Sequence, residues 1–214
     1  MDNSGAAANW GEDWGRQIRM QADIHPRNRQ NGAMTDPGAF RVIFVCTGNI
    51  CRSPMAEAVL RALADQRGLG PRVATSSAGT GDWHVGERAD DRTIEALTRR
   101  GYDGSLHRAK QFSAASFAEN DLIVALDRTH ERILRAWARS DDDEGKVTLL
   151  RAFDPHASSM DVPDPYYAGT PMFDSVLGMI EIATRGLFNQ LEPAVRAFHK
   201  TPRVMRGPEQ EDLL

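Results

Sequence analysis

The sequence predicts an α/β fold: a four-stranded parallel sheet in flavodoxin-like order 2-1-3-4, with helices on both faces. Three observations carry that reading. Short apolar runs rich in β-branched residues alternate with helix-period patterns in one βαβαβαβα series. Such alternation builds a parallel sheet joined by crossover helices. The chain has 214 residues, a length that suits one such domain with some extra tail. It has two cysteines, too few for a disulfide scaffold, so apolar burial must stabilise it.

Residues 1–38 read as an extension outside the domain. They are rich in Gly, Asn, Asp, Gln and Arg, with Trp10, Trp14 and Ile18 as large anchors. A stretch that polar does not offset its ordering entropy. It is expected to be disordered, or to precede a true start at Met20 or Met34. The folded domain is expected over 39–199, with a flexible tail at 200–214.

Order begins at Phe40, and Arg41–Val45 is the first buried strand. Ser53-Pro54 opens a helix, with Ser53 as expected N-cap and Pro54 at the first helical position. Ala56, Val59, Leu60 and Leu63 form its apolar face, and Gly68 and Gly70 stop it. Arg72–Ser76 is the second strand. A Gly-rich loop, Gly79 to Gly86, leads to a helix over Asp90–Arg100, ended by Gly101. A helical patch at Ser113–Ala118 precedes the third strand, Leu122–Leu126. Residues 128–139 are helical, with Ile133, Leu134 and Trp137 on one face. The acidic run Asp141–Glu144 reads as a solvated turn. Val147–Leu150 is the fourth strand. A long loop, 152–170, holds three prolines. The last helix, Met172–Phe198, carries Val176, Met179, Ile180, Ala183 and Leu187 at helical spacing.

Composition narrows the function. The net charge is -4, which leaves no footprint for nucleic acid. No run of about 18 apolar residues suggests a membrane span, and no apolar h-region marks a signal peptide. A cytoplasmic monomer without nucleic-acid or membrane partners is expected; leaderless export would leave no readable signal. His25, His130, His156 and His199 show no metal-ligand spacing and read as surface residues, so no metal and no cofactor are expected.

Ligands in parallel α/β sheets sit beyond the carboxyl ends of the strands. The first such end is Val45-Cys46, followed by Thr47, Gly48, Asn49, Ile50, Cys51, Arg52 and Ser53. A tight loop ahead of a helix offers consecutive backbone N–H groups and a positive dipole end to an anion. Arg52 adds a planar fork for two phosphate oxygens. Gly48 and Asn49 tolerate the left-handed dihedrals such a curl requires. A thiolate at Cys46 beneath a bound phosphate is a nucleophile aimed at phosphorus, and Ser53 is placed to hydrogen-bond it. No Lys follows the glycine, which excludes an ATP-type phosphate loop.

The string Phe44-Val45-Cys46-Thr47-Gly48-Asn49-Ile50-Cys51-Arg52-Ser53-Pro54-Met55-Ala56-Glu57 resembles the signature of the low-molecular-weight protein tyrosine phosphatases, most of all the actinobacterial type. The resemblance spans about residues 40–192. It implies hydrolysis of phosphotyrosine in tyrosine-phosphorylated proteins through a cysteinyl-phosphate, with inorganic phosphate as product.

Such chemistry needs a proton donor for the leaving phenolate. Asp164, in Val162-Pro163-Asp164-Pro165-Tyr166-Tyr167, resembles the family's acid, and its flanking prolines hold the backbone extended. Asp161 and Asp154 are fallbacks. Tyr166 and Tyr167 offer aromatic walls for a flat substrate. Trp83 stands in the loop that resembles the family's specificity loop, either as a pocket wall or packed on the sheet edge; His84 beside it reads as pointing to water. Asn49, Ser53, Ser77 and His107 resemble the hydrogen-bonded support behind the loop, although His107 also reads as an exposed loop histidine. Asp127 ends the third strand and is placed to pin Arg52. Cys51 is either a redox partner that protects Cys46 as a reversible disulfide or a small apolar residue at the helix start.

Two rivals stay open. An arsenate reductase of this fold would need further cysteines for a thiol relay. A non-catalytic phosphotyrosine-binding module would not need Asp164.

Overall fold

The computed structural model describes residues 38–198. Expectations for the segments before and after, including starts at Met20 or Met34, lie outside the described residues, as do His25 and His199. In chain order the elements are β1 (Phe40–Cys46), α1 (Arg52–Gln66), β2 (Val73–Gly79), α2 (Asp91–Arg99), α3 (Ala114–Glu119), β3 (Leu122–Ala125), α4 (Arg128–Trp137), α5 (Asp141–Gly145), β4 (Val147–Leu149) and α6 (Thr170–Phe198). The sheet is parallel throughout, as the alternation of elements predicts, and its order is β2-β1-β3-β4, the expected 2-1-3-4.

Each strand feeds two cores because successive side chains point to opposite faces. Val42, Phe44 and Cys46, with Leu122, Val124 and Leu126, face α1 and α6. Ile43 and Val45, with Ile123 and Ala125, face Phe112, Phe117 and Leu134. Both faces of the central strands are covered, which is why they read as continuous apolar runs rather than alternating ones. Phe44, Met55, Leu60, Phe173 and Phe188 are fully buried; burial of each such side chain contributes about 1.5–3 kcal/mol.

Local chemistry moves four boundaries from their expected places. The α1 helix starts at Arg52 with Cys51 as N-cap residue and no side-chain cap bond. Ser53 therefore is not the cap; its hydroxyl is drawn to Cys46 instead. The run Asp141–Glu144 is not a turn but the start of α5. Ser140 caps it by accepting from Asp143 N–H, and the acidic residues favour the positive end of the helix. The β2 strand runs from Val73 to Gly79, because its end stays paired with β1 up to Cys46 and Gly79. The α6 helix begins at Thr170, two residues early, and continues past Pro193.

With every strand parallel, all four carboxyl ends share one edge. Cys46 ends β1, Gly79 ends β2, Asp127 follows β3, and the loop bearing Asp164 follows β4. Gly79 must be glycine: a Cβ there would stand 2.7 Å from the Thr47 carbonyl and 3.2 Å from Asn49 N.

Candidate active site

The segment from Cys46 to Ser53 curls between β1 and α1, and Asn49 is the one described non-glycine residue in the left-handed region, at φ 57°. Its fully buried side chain is bonded at every polar atom. Asn49 Nδ2 donates to Ser53 Oγ at 2.8 Å and to Ser77 Oγ at 2.9 Å. Its Oδ1 accepts from Lys110 N–H at 2.9 Å. Its carbonyl lies 2.7 Å from His107 Nε2. Ser77 in turn donates to Glu57 Oε2 at 2.6 Å.

Ser53 Oγ accepts from Asn49 Nδ2, lies 3.0 Å from Cys46 Sγ and is within 3.4 Å of the Ala78 carbonyl.

Arg52 is buried and held between two aspartates. Its Nη1 donates to Asp127 Oδ2 at 2.8 Å and to the Val162 carbonyl at 3.2 Å. Its Nη2 donates to Asp164 Oδ2 at 2.5 Å and to Thr47 Oγ1 at 3.3 Å. Its Nε is buried with no hydrogen-bond partner among the described residues. Burial pushes the Asp127 carboxyl up, but the neighbouring His130 and the Arg52 charge outweigh it and leave the group well below the usual carboxylate range. Asp164 is half-exposed, and its Oδ1 accepts from Tyr166 N–H at 3.2 Å. Asp154 and Asp161, the alternative acids, are engaged elsewhere: Asp154 pairs with Arg151 at 2.9 Å, and Asp161 accepts from Arg128 N–H at 2.8 Å.

The aromatic residues divide. Tyr166 meets Tyr167 edge-on at 4.9 Å, and its ring lies 6.3 Å from His84. Tyr167 is 98% exposed and Trp83 is 70% exposed. Trp83 folds over Gly81 rather than packing on the sheet edge. His84 does not simply point to water: its Nδ1 lies 2.7 Å from Glu87 Oε2, and its ring lies against Gly48.

Cys46 and Cys51 are both buried free thiols. Burial, reinforced by Asp90, pushes the Cys51 thiol up to about 12. His107 is not an exposed loop residue; burial lowers it below its ordinary value.

Several residues escaped the sequence reading. His130, read as surface, is buried, with Nε2 2.9 Å from Thr47 Oγ1 and its backbone N–H on Asp127 Oδ1 at 2.9 Å. The signal was available in Asp127-x-x-His130, an N-cap aspartate with a histidine in the first turn of α4. Glu57 stands four residues after Ser53 on the same helix face, a polar residue among apolar ones. Asp90 and Arg92 pair with each other across two residues, but their contacts to Ile50, Tyr166 and Ala168 left no signal because those partners are distant in sequence.

A parallel sheet whose first loop carries a buried cysteine and a buried guanidinium ahead of a helix is an arrangement that can hold a phosphate-sized oxyanion over a thiol. Comparison with known proteins narrows that class. Residues 41–197 match the family model for low molecular weight phosphotyrosine protein phosphatases. A Streptomyces coelicolor low molecular weight protein-tyrosine-phosphatase is 53% identical over 150 residues, which is 69% of this chain and 91% of the relative. Phosphatase A of Mycobacterium tuberculosis is 45% identical over 161 residues, covering 74% of this chain and 94% of the relative. The crystal structure of YfkJ from Bacillus subtilis superposes with a TM-score of 0.69 at 34% identity, over 77% of this chain and 99% of that one. The chain belongs to the low molecular weight phosphotyrosine protein phosphatase family.

Proposed function

We propose that the chain hydrolyses phosphotyrosine and related aryl phosphate monoesters in two steps, without metal or cofactor. Cys46 Sγ attacks phosphorus, and the bond to the phenolate oxygen breaks as Asp164 gives that oxygen a proton. Water then attacks the cysteinyl-phosphate. Asp164, now a carboxylate, takes a proton from the water, and inorganic phosphate leaves with the Cys46 thiolate restored. Arg52 and the loop N–H groups hold the equatorial oxygens, whose charge grows in a loose transition state. The Ser53 hydroxyl stabilises the thiolate as it departs.

The observation that supports this reading best is the convergence on Arg52. One guanidinium, fixed by Asp127, reaches both the cysteine loop and the carboxylate of Asp164. Its unpartnered Nε is a donor for a phosphate oxygen. The relatives' names support tyrosine-phosphorylated proteins as substrates, with Tyr166, Tyr167 and Trp83 as the aromatic surface at the mouth. The folded catalytic unit is proposed to be 39–199.

Cys46→Ser should abolish turnover of aryl phosphates, and rapid acid quench of the unaltered chain should trap a phosphoryl group on Cys46 by mass. Retained turnover in the serine variant overturns the reading. The pH–rate profile should be bell-shaped, and EDTA should leave the rate unchanged.

Cys51 is proposed as the redox partner. Peroxide would convert Cys46 to a sulfenic acid, and condensation with the Cys51 thiol would form the disulfide and release water. Cys51→Ser should then make peroxide inactivation resist thiol rescue; unchanged recovery sinks the pairing.

A further inference from the structure

We infer that Asp90 and Arg92 form a strut that sets the position of the proposed acid loop relative to the phosphate loop, and that Arg92 is a positioning residue for Asp164. The inference rests on the proposed role of Asp164 as acid.

The strut starts at the phosphate loop. Asp90 N–H donates to the Ile50 carbonyl at 2.9 Å. The Asp90 side chain caps α2 by accepting from Arg92 N–H at 2.9 Å. The same carboxylate takes a two-point contact from the Arg92 guanidinium, with Nε at 2.9 Å and Nη2 at 2.7 Å. A fork held at two points has one orientation left to it.

That orientation delivers the remaining donors to the acid loop. Arg92 Nη2 donates to the Tyr166 carbonyl at 3.0 Å, and Nη1 donates to the Ala168 carbonyl at 2.8 Å. The guanidinium carbon also lies 4.4 Å from the centre of the Phe173 ring, which is fully buried at the start of α6. The cation therefore rests on a fixed aromatic platform.

Tyr166 joins the strut to the chemistry. Its N–H holds Asp164 Oδ1 at 3.2 Å, while its carbonyl is held by Arg92. One residue's backbone is thus bonded to the carboxylate at one end and to the strut at the other. Only Pro165 separates Asp164 from this anchor, so a shift of the Tyr166 backbone moves the carboxylate with it. A misplacement of about 1 Å in a catalytic group can lower a rate about 100-fold. The charge of Arg92 is met by Asp90, so its removal does not strip a phosphate ligand from the site.

The experiment compares kcat/KM for aryl phosphates across a series of leaving-group pKa values. Four proteins are used: the unaltered chain, Arg92→Met, Asp164→Asn and the double variant. Arg92→Met keeps an apolar stem over Phe173 and loses the fork. It should lower kcat/KM about 10- to 100-fold for the poorest leaving groups and by less than about threefold for the best. Competitive inhibition by inorganic phosphate should stay within about twofold. In the Asp164→Asn background the added Arg92→Met change should steepen nothing further. An equal loss for all leaving groups, with weakened phosphate inhibition, overturns the strut and makes Arg92 a support of the phosphate loop alone. If Asp164→Asn itself shows no leaving-group dependence, the acid reading falls. If Asp164→Asn shows it and Arg92→Met does not, only the strut falls. Arg92→Lys decides the matter if the methionine variant does not fold: lysine keeps the cation but not the fork, so the same leaving-group dependence should appear at smaller size.

Discussion

The two loops that meet at Arg52 are built in opposite ways. The proposed phosphate loop is buried from Asn49 to Ser53, and the Asn49 side chain alone is tied to Ser53, Ser77 and Lys110. The acid loop is half-exposed, and Asp164 is held only by Arg52 and one backbone N–H among the contacts described above. An oxyanion cradle lowers a barrier only if its donors are already in place when charge develops. A proton donor must instead reach the leaving group, switch role and meet water, which calls for access. In the proposed mechanism the rigid half binds and the accessible half moves protons.

That contrast fails if activity and stability follow one another at both loops. At the acid loop they should separate. Asp164→Asn should lower kcat/KM for poor leaving groups about 10²- to 10⁴-fold. Stability should change by less than about 1 kcal/mol, because the carboxylate is half-exposed and the amide oxygen still accepts from Arg52. A large stability loss in urea unfolding would show the acid loop to be a structural clasp. At the phosphate loop the two should fall together. Asn49→Ala strips several buried bonds at about 1–3 kcal/mol of desolvation for the worst-placed partner, and it adds about 1 kcal/mol for a left-handed alanine. A loss of roughly 2–4 kcal/mol, with weaker phosphate inhibition, is expected from urea unfolding and inhibition assays.

The same contrast explains what the sequence made legible. Cys46, Asn49, Arg52 and Ser53 lie within eight residues of one another, so strand, curl and helix start announce them together. Parallel pairing follows from the alternation of strands and helices, and Asp127 could be placed because it lies just after β3. On the loop of the proposed acid, Asp164, Tyr166 and Tyr167 were legible, but their anchor was not. That anchor, Arg92, is 74 residues from Tyr166 and 76 from Ala168. No periodicity records a bond between a helix start and a remote carbonyl. His130 was misread for a related reason: its ring partner is Thr47, 83 residues away, and its neighbours Arg128 and Thr129 are exposed. Ser53 was misread as a cap because the local preference for serine there was real, yet the sulfur of Cys46 claimed the hydroxyl.

A pH experiment sharpens the rigid half. His107 donates from Nε2 to the Asn49 carbonyl, and burial lowers it below its ordinary 6.5, outweighing the pull of that carbonyl and of Glu57. The folded state thus resists the second proton more than the unfolded chain does. Its contribution to stability is fully present above the unfolded value of 6.5 and is lost as pH falls from there toward the folded value. Urea unfolding at about pH 7.5 and about pH 5.5 should show that loss. His107→Gln keeps a donor near the position of Nε2 and removes the titration, so it should flatten the difference. An unchanged slope would mean that another group carries the acid sensitivity of this loop.

The smallest expected effect probes the accessible half at its far edge. Tyr167 is 98% exposed and meets only the edge of Tyr166 among the ring contacts. Tyr167→Ala should leave stability within about 0.5 kcal/mol, as for other surface changes without a buried partner. If its ring is a wall for flat substrates, the variant should raise KM for phosphotyrosine peptides several-fold, about 1 kcal/mol of stacking, while kcat and inhibition by inorganic phosphate stay put. Inorganic phosphate has no ring to stack, so it separates the cradle from the mouth. Weaker phosphate inhibition in this variant would mean that the exposed loop reaches into the cradle, and the division of labour between the two loops would have to be redrawn.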